Sequence, residues 1–238
     1  MTEKITLNNG MVAIAVANPT ADIMAARIFI GVGSRRETRK NAGITHLLSA
    51  VMTKGTDRLT SMDIAEKVES IGANLGTDAT PDYFLLSLKT VSADFSQMLR
   101  LAGELLRSPT FPEAEIELER RITLQALRSS KEQPMSVAFD RLRHALYGEH
   151  PYAFSGLGLP DSVAQLSRDD LLEYHRTYFR PDNIVVSLTG CIAPDNAFAL
   201  VEEVFGDWQP PDTSLPETSL AILDTQPSHS AIAQETQQ

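Results

Sequence analysis

The start of the chain carries a strong signal for an antiparallel β-hairpin, and this signal limits the folds open to it. In the segment KITLNNGMVAIAVAN, the pair Asn9-Gly10 separates two short apolar stretches. Asn and Gly both tolerate the positive φ angles that a two-residue hairpin turn requires. A chain that opens on antiparallel strands suits a segregated α+β architecture better than a doubly wound parallel sheet.

The later strands and helices come in groups. Residues 23–34 form an apolar, partly β-branched run that predicts a buried strand. NLGTDATPDYFLLSLKTV predicts two short strands around a turn at Pro81-Asp82, and NIVVSLTG predicts another strand. Segments with helical spacing are residues 43–53, SMDIAEKVESIGA, SADFSQMLRLAGELLRSP, PEAEIELERRITLQALRSSKEQ, SVAFDRLRHALYG, SRDDLLEYHRTYF and NAFALVEEVFGDW. The pattern predicts an α+β fold with a mixed, largely antiparallel sheet and grouped helices packed on it.

Apolar spacing also predicts which faces of two helices are buried. In SADFSQMLRLAGELLRSP the predicted stripe consists of Phe95, Met98, Leu99, Ala102, Leu105 and Leu106. In the long, charged helix after Pro112, the candidate inward residues are Ile116, Ile122, Leu124 and Leu127.

A change of composition after Trp208 suggests the domain organisation. Residues 1–208 are expected to form one α+β domain, and the segment QPPDTSLPETS, residues 209–219, has the prolines of a linker. Residues 220–238 are expected to be a tail or the start of a second domain that is cut short. On this view the chain is a fragment or a truncated product.

Composition excludes several classes of function. A net charge of −10 and a pI of about 5.0 disfavour nucleic-acid binding, which usually needs a basic face. No apolar run reaches the roughly 20 residues of a membrane-spanning helix, so membrane insertion is not expected. The start MTEKITLNNG lacks the apolar core of a signal peptide, and Cys191 has no second cysteine to pair with. These features favour a cytoplasmic location.

Common catalytic and cofactor motifs are missing from the chain. There is no cysteine cluster for a thiolate zinc site, and neither GVGSRR nor GLGLP has the spacing of a nucleotide-binding loop. No G-x-S-x-G elbow is present. His144 and His175 fall on helices among charged residues and are expected at or near the surface, and His150 precedes a proline in a loop.

Several segments resemble one peptidase group, and they do so in order. LNNGMVAIAV, IFIGVGSRRETRKNAGITHLLSAVMTKGT, IAEKVESIGANLGTDATPDYFLLSLKTV and HPYAFSGLGLPDSVAQLSRDDLLEYHRTYFRPDNIVVSLTG are similar to segments of the insulinase, pitrilysin and mitochondrial processing peptidase family of zinc metallopeptidases. The resemblance covers roughly residues 5–210. It implies a metallopeptidase half-domain of the processing-peptidase type.

The family's inverted zinc motif, H-x-x-E-H with a further glutamate about 75 residues on, is incomplete in this chain. The resemblance places the first histidine at His46, the general base at Ser49 and the second histidine at Ala50. The distant ligand falls at Ala126, since 126 − 50 = 76. A supporting glutamate two helical turns earlier is retained as Glu119, since 126 − 119 = 7.

These departures predict a site without zinc. Serine cannot act as a carboxylate base at neutral pH, and one imidazole binds zinc too weakly to hold it against other cellular ligands. Gln125 is no substitute for the distant ligand, because it is offset by about 100° around the helix and is uncharged. The sequence therefore predicts no cofactor in this chain, with zinc supplied by a partner subunit.

The resemblance implies a non-catalytic subunit, or part of one, of a heteromeric zinc metallopeptidase. Family members work as pairs of similar halves around a chamber, and the zinc-less half helps to hold an unfolded peptide against a sheet edge. The expected partners are a homologous zinc-bearing subunit and a peptide substrate. Two alternatives stay open: a non-proteolytic scaffold of the same fold, and an independently active zinc peptidase.

Overall fold

A single six-stranded sheet forms the centre of the computed structural model, which describes residues 2–217. Its strands are β1 (Thr2–Thr6), β2 (Val12–Ala17), β3 (Ile23–Ile30), β4 (Asn74–Ala79), β5 (Phe84–Val91) and β6 (Ile184–Gly190). Across the sheet they follow the order β1-β2-β6-β3-β5-β4. β2 and β6 run parallel, and the other neighbouring pairs are antiparallel. The predicted fold class, with a mixed and largely antiparallel sheet, is confirmed.

The first hairpin is present, but its loop is longer than predicted. Leu7 N–H donates to Met11 O at 2.8 Å, and Gly10 N–H donates to Leu7 O at 3.0 Å. The loop therefore contains three residues, Asn8, Asn9 and Gly10, and of these only Gly10 has a positive φ, 88°. A type I turn followed by a left-handed glycine is the usual three-residue solution. The prediction of a two-residue turn was wrong because Asn9 keeps a negative φ.

The helices pack mainly against one face of the sheet. Alternate residues of β3 and β6 are buried, whereas those between them are half-buried or exposed. The α-helices among the described residues are α1 (Ile44–Val51), α2 (Ser61–Glu69), α3 (Phe95–Arg107), α4 (Glu113–Ser130), α5 (Pro134–Tyr147), α6 (Pro160–Gln165), α7 (Arg168–Tyr178) and α8 (Pro194–Phe205). Helix α6 is not predicted from the sequence, because its six residues are too few to show a helical period. None of these helices combines the length and apolar character needed to cross a membrane.

Burial confirms the predicted face of α3 and corrects that of α4. All six predicted residues of the α3 stripe are buried. In α4, Ile116 and Leu127 are buried and Leu124 is half-buried, but Ile122 is 51% exposed. Thr123 takes the inward position, because residues 116, 123 and 127 share one helical face and residue 122 is offset from it by about 100°.

His175 is buried, so the prediction that it lies near the surface was wrong. Its Nε2 lies 2.9 Å from Leu106 O, and its ring stacks on Phe179 with centroids 4.7 Å apart. Because a carbonyl oxygen only accepts, Nε2 carries the proton. His144 is exposed, as predicted, and His150 is half-buried.

The predicted domain boundaries stay predictions. The last described helix, α8, ends at Phe205, shortly before the predicted boundary at residue 208. The predicted tail, residues 220–238, and the end of the predicted linker lie outside the described residues.

We expect Asn9→Ala to lower the free energy of unfolding by about 2 kcal/mol, because its buried amide bonds three backbone groups. Asn9 Oδ1 accepts from Met11 N–H at 3.1 Å, and its Nδ2 donates to Phe205 O at 2.8 Å and to Trp208 O at 3.0 Å. Urea denaturation followed by circular dichroism measures the change. The exposed neighbour provides a control, Asn8→Ala, and an equal loss in both variants would contradict the role assigned to Asn9.

Candidate functional site on helix α1

The N-terminus of α1 is capped by a carboxylate from outside the helix. The N-cap residue is Gly43, with a φ of 95° and no side chain that could accept a hydrogen bond. Glu37 fills this role, because its Oε2 accepts from Gly43 N–H at 2.7 Å and its Oε1 from Thr45 N–H at 2.9 Å. First-turn N–H groups lack partners within a helix, and a negative charge there suits the helix dipole.

Glu37 is itself buried, and this burial makes its ionised form less stable. Burial raises the pKa of Glu37 from 4.5 to about 7, although the hydrogen bonds from Gly43 and Thr45 act in the opposite direction. The Thr45 hydroxyl also lies 2.9 Å from the hydroxyl of Tyr174, which connects α1 to α7. The start of the helix is therefore fixed by a buried polar network. No sequence motif points to Glu37, but a helix that begins at glycine is a signal that an external acceptor is needed.

Close backbone packing fixes the same end of α1. A Cβ added to Gly43 would lie 2.7 Å from Leu157 O and 2.9 Å from Gly158 Cα, so only glycine fits there. The Ser162 hydroxyl, on α6, donates to Ala42 O at 2.6 Å. These contacts hold the helix against the loop that leads into α6.

Three of the predicted site residues lie on α1. His46 and Ala50 are one helical turn apart and both are half-buried, and Ser49 between them is buried. Ser49 Oγ donates to His46 O at 2.8 Å, and Ser49 O accepts from the Thr77 hydroxyl on β4 at 2.7 Å. The side chain of Ser49 is thus bonded within its own helix, and it presents no carboxylate.

The fourth residue, Glu119 on α4, lies near His46 and faces an ammonium group. Lys54 Nζ is 3.9 Å from Glu119 Oε1 and also 3.9 Å from Glu115 Oε2. Burial lowers the pKa of His46, while the charges of Glu119 and Asp78 oppose this shift. The structure therefore brings the imidazole and the carboxylate into electrostatic contact, with Lys54 as the cation beside Glu119.

Ala126 lies two turns beyond Glu119 on α4 and is exposed, as is Gln125. Its methyl group offers no atom to a metal. Among residues 2–217, no three His, Cys, Asp or Glu side chains lie close enough together to hold a metal ion. The residues at the motif positions therefore do not fit a catalytic zinc ion, and they place no carboxylate where the family's general base would act.

Helices α1 and α4 contact each other beside the six-stranded mixed sheet, and peptidase family models match this arrangement along the chain. The family model described as insulinase, peptidase family M16, matches residues 12–158, and that described as the peptidase M16 inactive domain matches residues 165–238. The chain belongs to the insulinase family, peptidase family M16. The resemblance predicted from the sequence is confirmed.

Individual relatives support the same assignment. The chain is 29% identical over 209 residues to the uncharacterized zinc protease YmxG of Bacillus subtilis, covering 88% of this chain and 51% of the relative. It is 27% identical over 206 residues to the mitochondrial-processing peptidase subunit beta of Rattus norvegicus, covering 87% of this chain and 42% of the relative. The chain thus spans about half the length of the curated relatives it matches.

Solved structures show the same fold. A protease from Helicobacter pylori superposes with a TM-score of 0.87 at 23% identity, covering 92% of this chain and 54% of the other. A peptidase M16 inactive domain from Pseudomonas fluorescens gives a TM-score of 0.86 at 24% identity, covering 92% and 53%.

We expect Glu37→Gln to change how stability depends on pH between about 4 and 7. The raised pKa of Glu37 means that its contribution to stability is complete below pH 4.5 and is lost as the pH rises to about 7. Burial lowers the pKa of His175 from 6.5 to about 4, so its contribution is complete above pH 6.5 and is lost as the pH falls. The two trends oppose each other in the wild type.

Glu37→Gln should therefore leave a stability that rises with pH from 4 to 6.5, by an amount on the order of 3 kcal/mol. Urea denaturation at a series of pH values measures this profile. Glu66→Gln, at an exposed position on α2, is the matched control and should follow the wild type. Parallel profiles for Glu37→Gln and the wild type would contradict the buried-carboxylate model.

We expect Ala50→His to create measurable zinc affinity, because it adds an imidazole one turn from His46 on the same face of α1. Isothermal titration calorimetry with zinc compares the variant with the wild type. The double variant H46A/A50H should lose the gain. Affinity that persists without His46 would show that the zinc binds elsewhere.

Proposed function

We propose that this chain is a non-catalytic domain of a heteromeric zinc metallopeptidase of the processing-peptidase type. It would help to enclose and bind a peptide, while a homologous partner supplies the zinc. The observation that carries the proposal is that the side chains at the motif positions of α1 offer neither a zinc ligand pair nor a general base. The helix is well packed, yet Ser49 bonds to its own helix, Ala50 has only a methyl group, and Lys54 faces Glu119.

The open edge of the sheet supports a peptide-binding role. β4 is the last strand of the sheet and pairs only with β5 among the described residues. An exposed edge of this kind can add an extended peptide through backbone hydrogen bonds. The Thr77 hydroxyl of β4 bonds to Ser49 O, so this edge lies directly against α1. A Cβ at Gly76 would meet nothing within 4 Å, so there is space for side chains of a bound peptide above that face of the strand.

Helix α5 supports assembly with another protein. None of its residues is buried, and its four exposed large apolar residues range in exposure from 42% for Leu146 to 69% for Met135. The other two exposed apolar residues are Phe139 and Leu142. The four positions, 135, 139, 142 and 146, are spaced 4, 3 and 4 residues apart, as in the contact seam between two packed helices. Contiguous exposed apolar surface of this kind marks interaction sites. A relative is named as a subunit of a processing peptidase, which is in keeping with a subunit role here.

Co-expression with a homologous chain that carries an intact H-x-x-E-H motif tests the proposal. We expect a stable complex whose peptidase activity exceeds that of the partner alone, whereas this chain alone should show neither stoichiometric zinc nor chelator-sensitive cleavage. A stable complex without peptidase activity would favour the scaffold alternative. Zinc-dependent cleavage by the isolated chain would contradict both.

Variants of α5 sharpen this test. Phe139→Glu introduces a charge into the apolar stripe and should weaken the complex by about tenfold or more, if the stripe is buried in it. Arg141→Glu, also an exposed position on α5 but outside the stripe, is the control. Equal effects of the two variants would indicate that α5 acts through charge alone. Analytical ultracentrifugation measures both dissociation constants.

A further inference from the structure

A cavity of about 650 Å³ lies between the C-terminal end of α3, helix α7 and the segment around Trp208. Four arginines line it, together with one carboxylate, Asp57. These arginines are Arg107, Arg168, Arg176 and Arg180. The whole chain has 31 acidic and only 21 basic residues, so this local concentration of guanidinium groups runs against the overall charge.

Two of the arginines form part of the wall. Arg107 makes a bidentate ion pair with Asp207, at 2.7 and 3.0 Å, and its guanidinium lies 5.7 Å from the centroid of the Trp208 ring. Arg180 is buried and pairs with Asp182 through Nε at 2.5 Å and Nη2 at 2.8 Å. The charges of these two arginines are therefore already matched by carboxylates.

The other two arginines have donors to spare. Arg168 Nε donates to Thr110 O at 2.9 Å and to Phe111 O at 3.2 Å, which holds the guanidinium in place. Its two terminal nitrogens make no hydrogen bond to the described residues, and neither does any side-chain nitrogen of Arg176. The charge of Arg176 is also felt by His175, in the same cavity. A held guanidinium with a free fork is suited to bidentate binding of an oxyanion.

We propose that this cavity binds a phosphate group. A phosphate dianion would complement the charges of Arg168 and Arg176, which both line the cavity, and a guanidinium fork can contact two of its oxygens. The cavity is much larger than a phosphate ion, and Trp208, Phe179 and Leu172 supply apolar surface for an organic portion. The group can therefore come from inorganic phosphate or from a phosphate monoester. The proposal does not involve α1, so it stands apart from the proposed function.

The position of Trp208 provides a direct assay. It is the single tryptophan of the chain and it lines the cavity, so its fluorescence should report a bound ligand. The full chain is titrated with inorganic phosphate and with phenyl phosphate, at constant ionic strength maintained with chloride. We expect a saturable change with at least one of the two. Tighter binding of phenyl phosphate identifies a monoester as the preferred source, and equal binding identifies the phosphate group alone.

Variants separate this site from non-specific binding. Arg176→Gln alters an exposed residue whose side chain makes no hydrogen bond or ion pair to residues 2–217, and it should weaken binding by about tenfold or more. Arg168→Lys keeps the charge but removes the fork, and it should also weaken binding. Arg121→Gln, on the exposed side of α4 and outside the cavity, should bind like the wild type. A linear response, an equal response to chloride, or unchanged affinity in Arg176→Gln would overturn the proposal.

Discussion

The parallel pairing of β2 with β6 is the contact on which the whole sheet depends. β6 comes from residues 184–190, yet it lies between β2 and β3, to which it bonds on its two sides. Without it, the hairpin β1-β2 would be separated from the antiparallel set β3-β5-β4. β2 and β3 fall in the segment matched by one family model and β6 in that matched by the other, so both segments build one sheet. The chain segment between β5 and β6, which contains α3 to α7, therefore begins and ends in the same sheet.

Helix α1 is held in this framework from several directions. Glu37 caps its first turn, Tyr174 on α7 contacts Thr45, and Thr77 on β4 bonds to Ser49 O. Burying a carboxylate is costly, and two backbone N–H donors offset only part of that cost, as the raised pKa of Glu37 shows. The buried Glu37 side chain is therefore electrostatically unfavourable when ionised, but it fixes the start of the helix by capping Gly43 and Thr45.

Sequence patterns predicted the elements better than their arrangement. The α3 stripe was predictable because one face of that helix is buried throughout, so periodicity records its environment directly. The sheet position of β6 was not, because strand pairing between residues 12–17 and 184–190 leaves no local trace. The buried ring of His175 finds its hydrogen-bond partner in the carbonyl of Leu106, 69 positions away, and no local pattern reveals such a partner. The cap of α1 by Glu37 likewise depends on how the preceding loop folds back to the helix. The motif positions on α1 were placed by family resemblance, which carries non-local information that composition lacks.

The geometry of α1 shows that the packing of the helix does not depend on the side chains at the motif positions His46 and Ala50. Leu47, Leu48 and Val51 are buried in the core, whereas His46 and Ala50 lie together on the other, half-buried side. The packed residues and the motif positions His46 and Ala50 therefore lie on different faces of one short helix. A methyl group at position 50 leaves no buried polar group unpaired, and the hydroxyl of Ser49 is satisfied by His46 O. Because Ser49 and Ala50 leave the packed residues Leu47, Leu48 and Val51 undisturbed, the helix keeps its place in the core whatever its chemistry, and this is compatible with the proposed non-catalytic role.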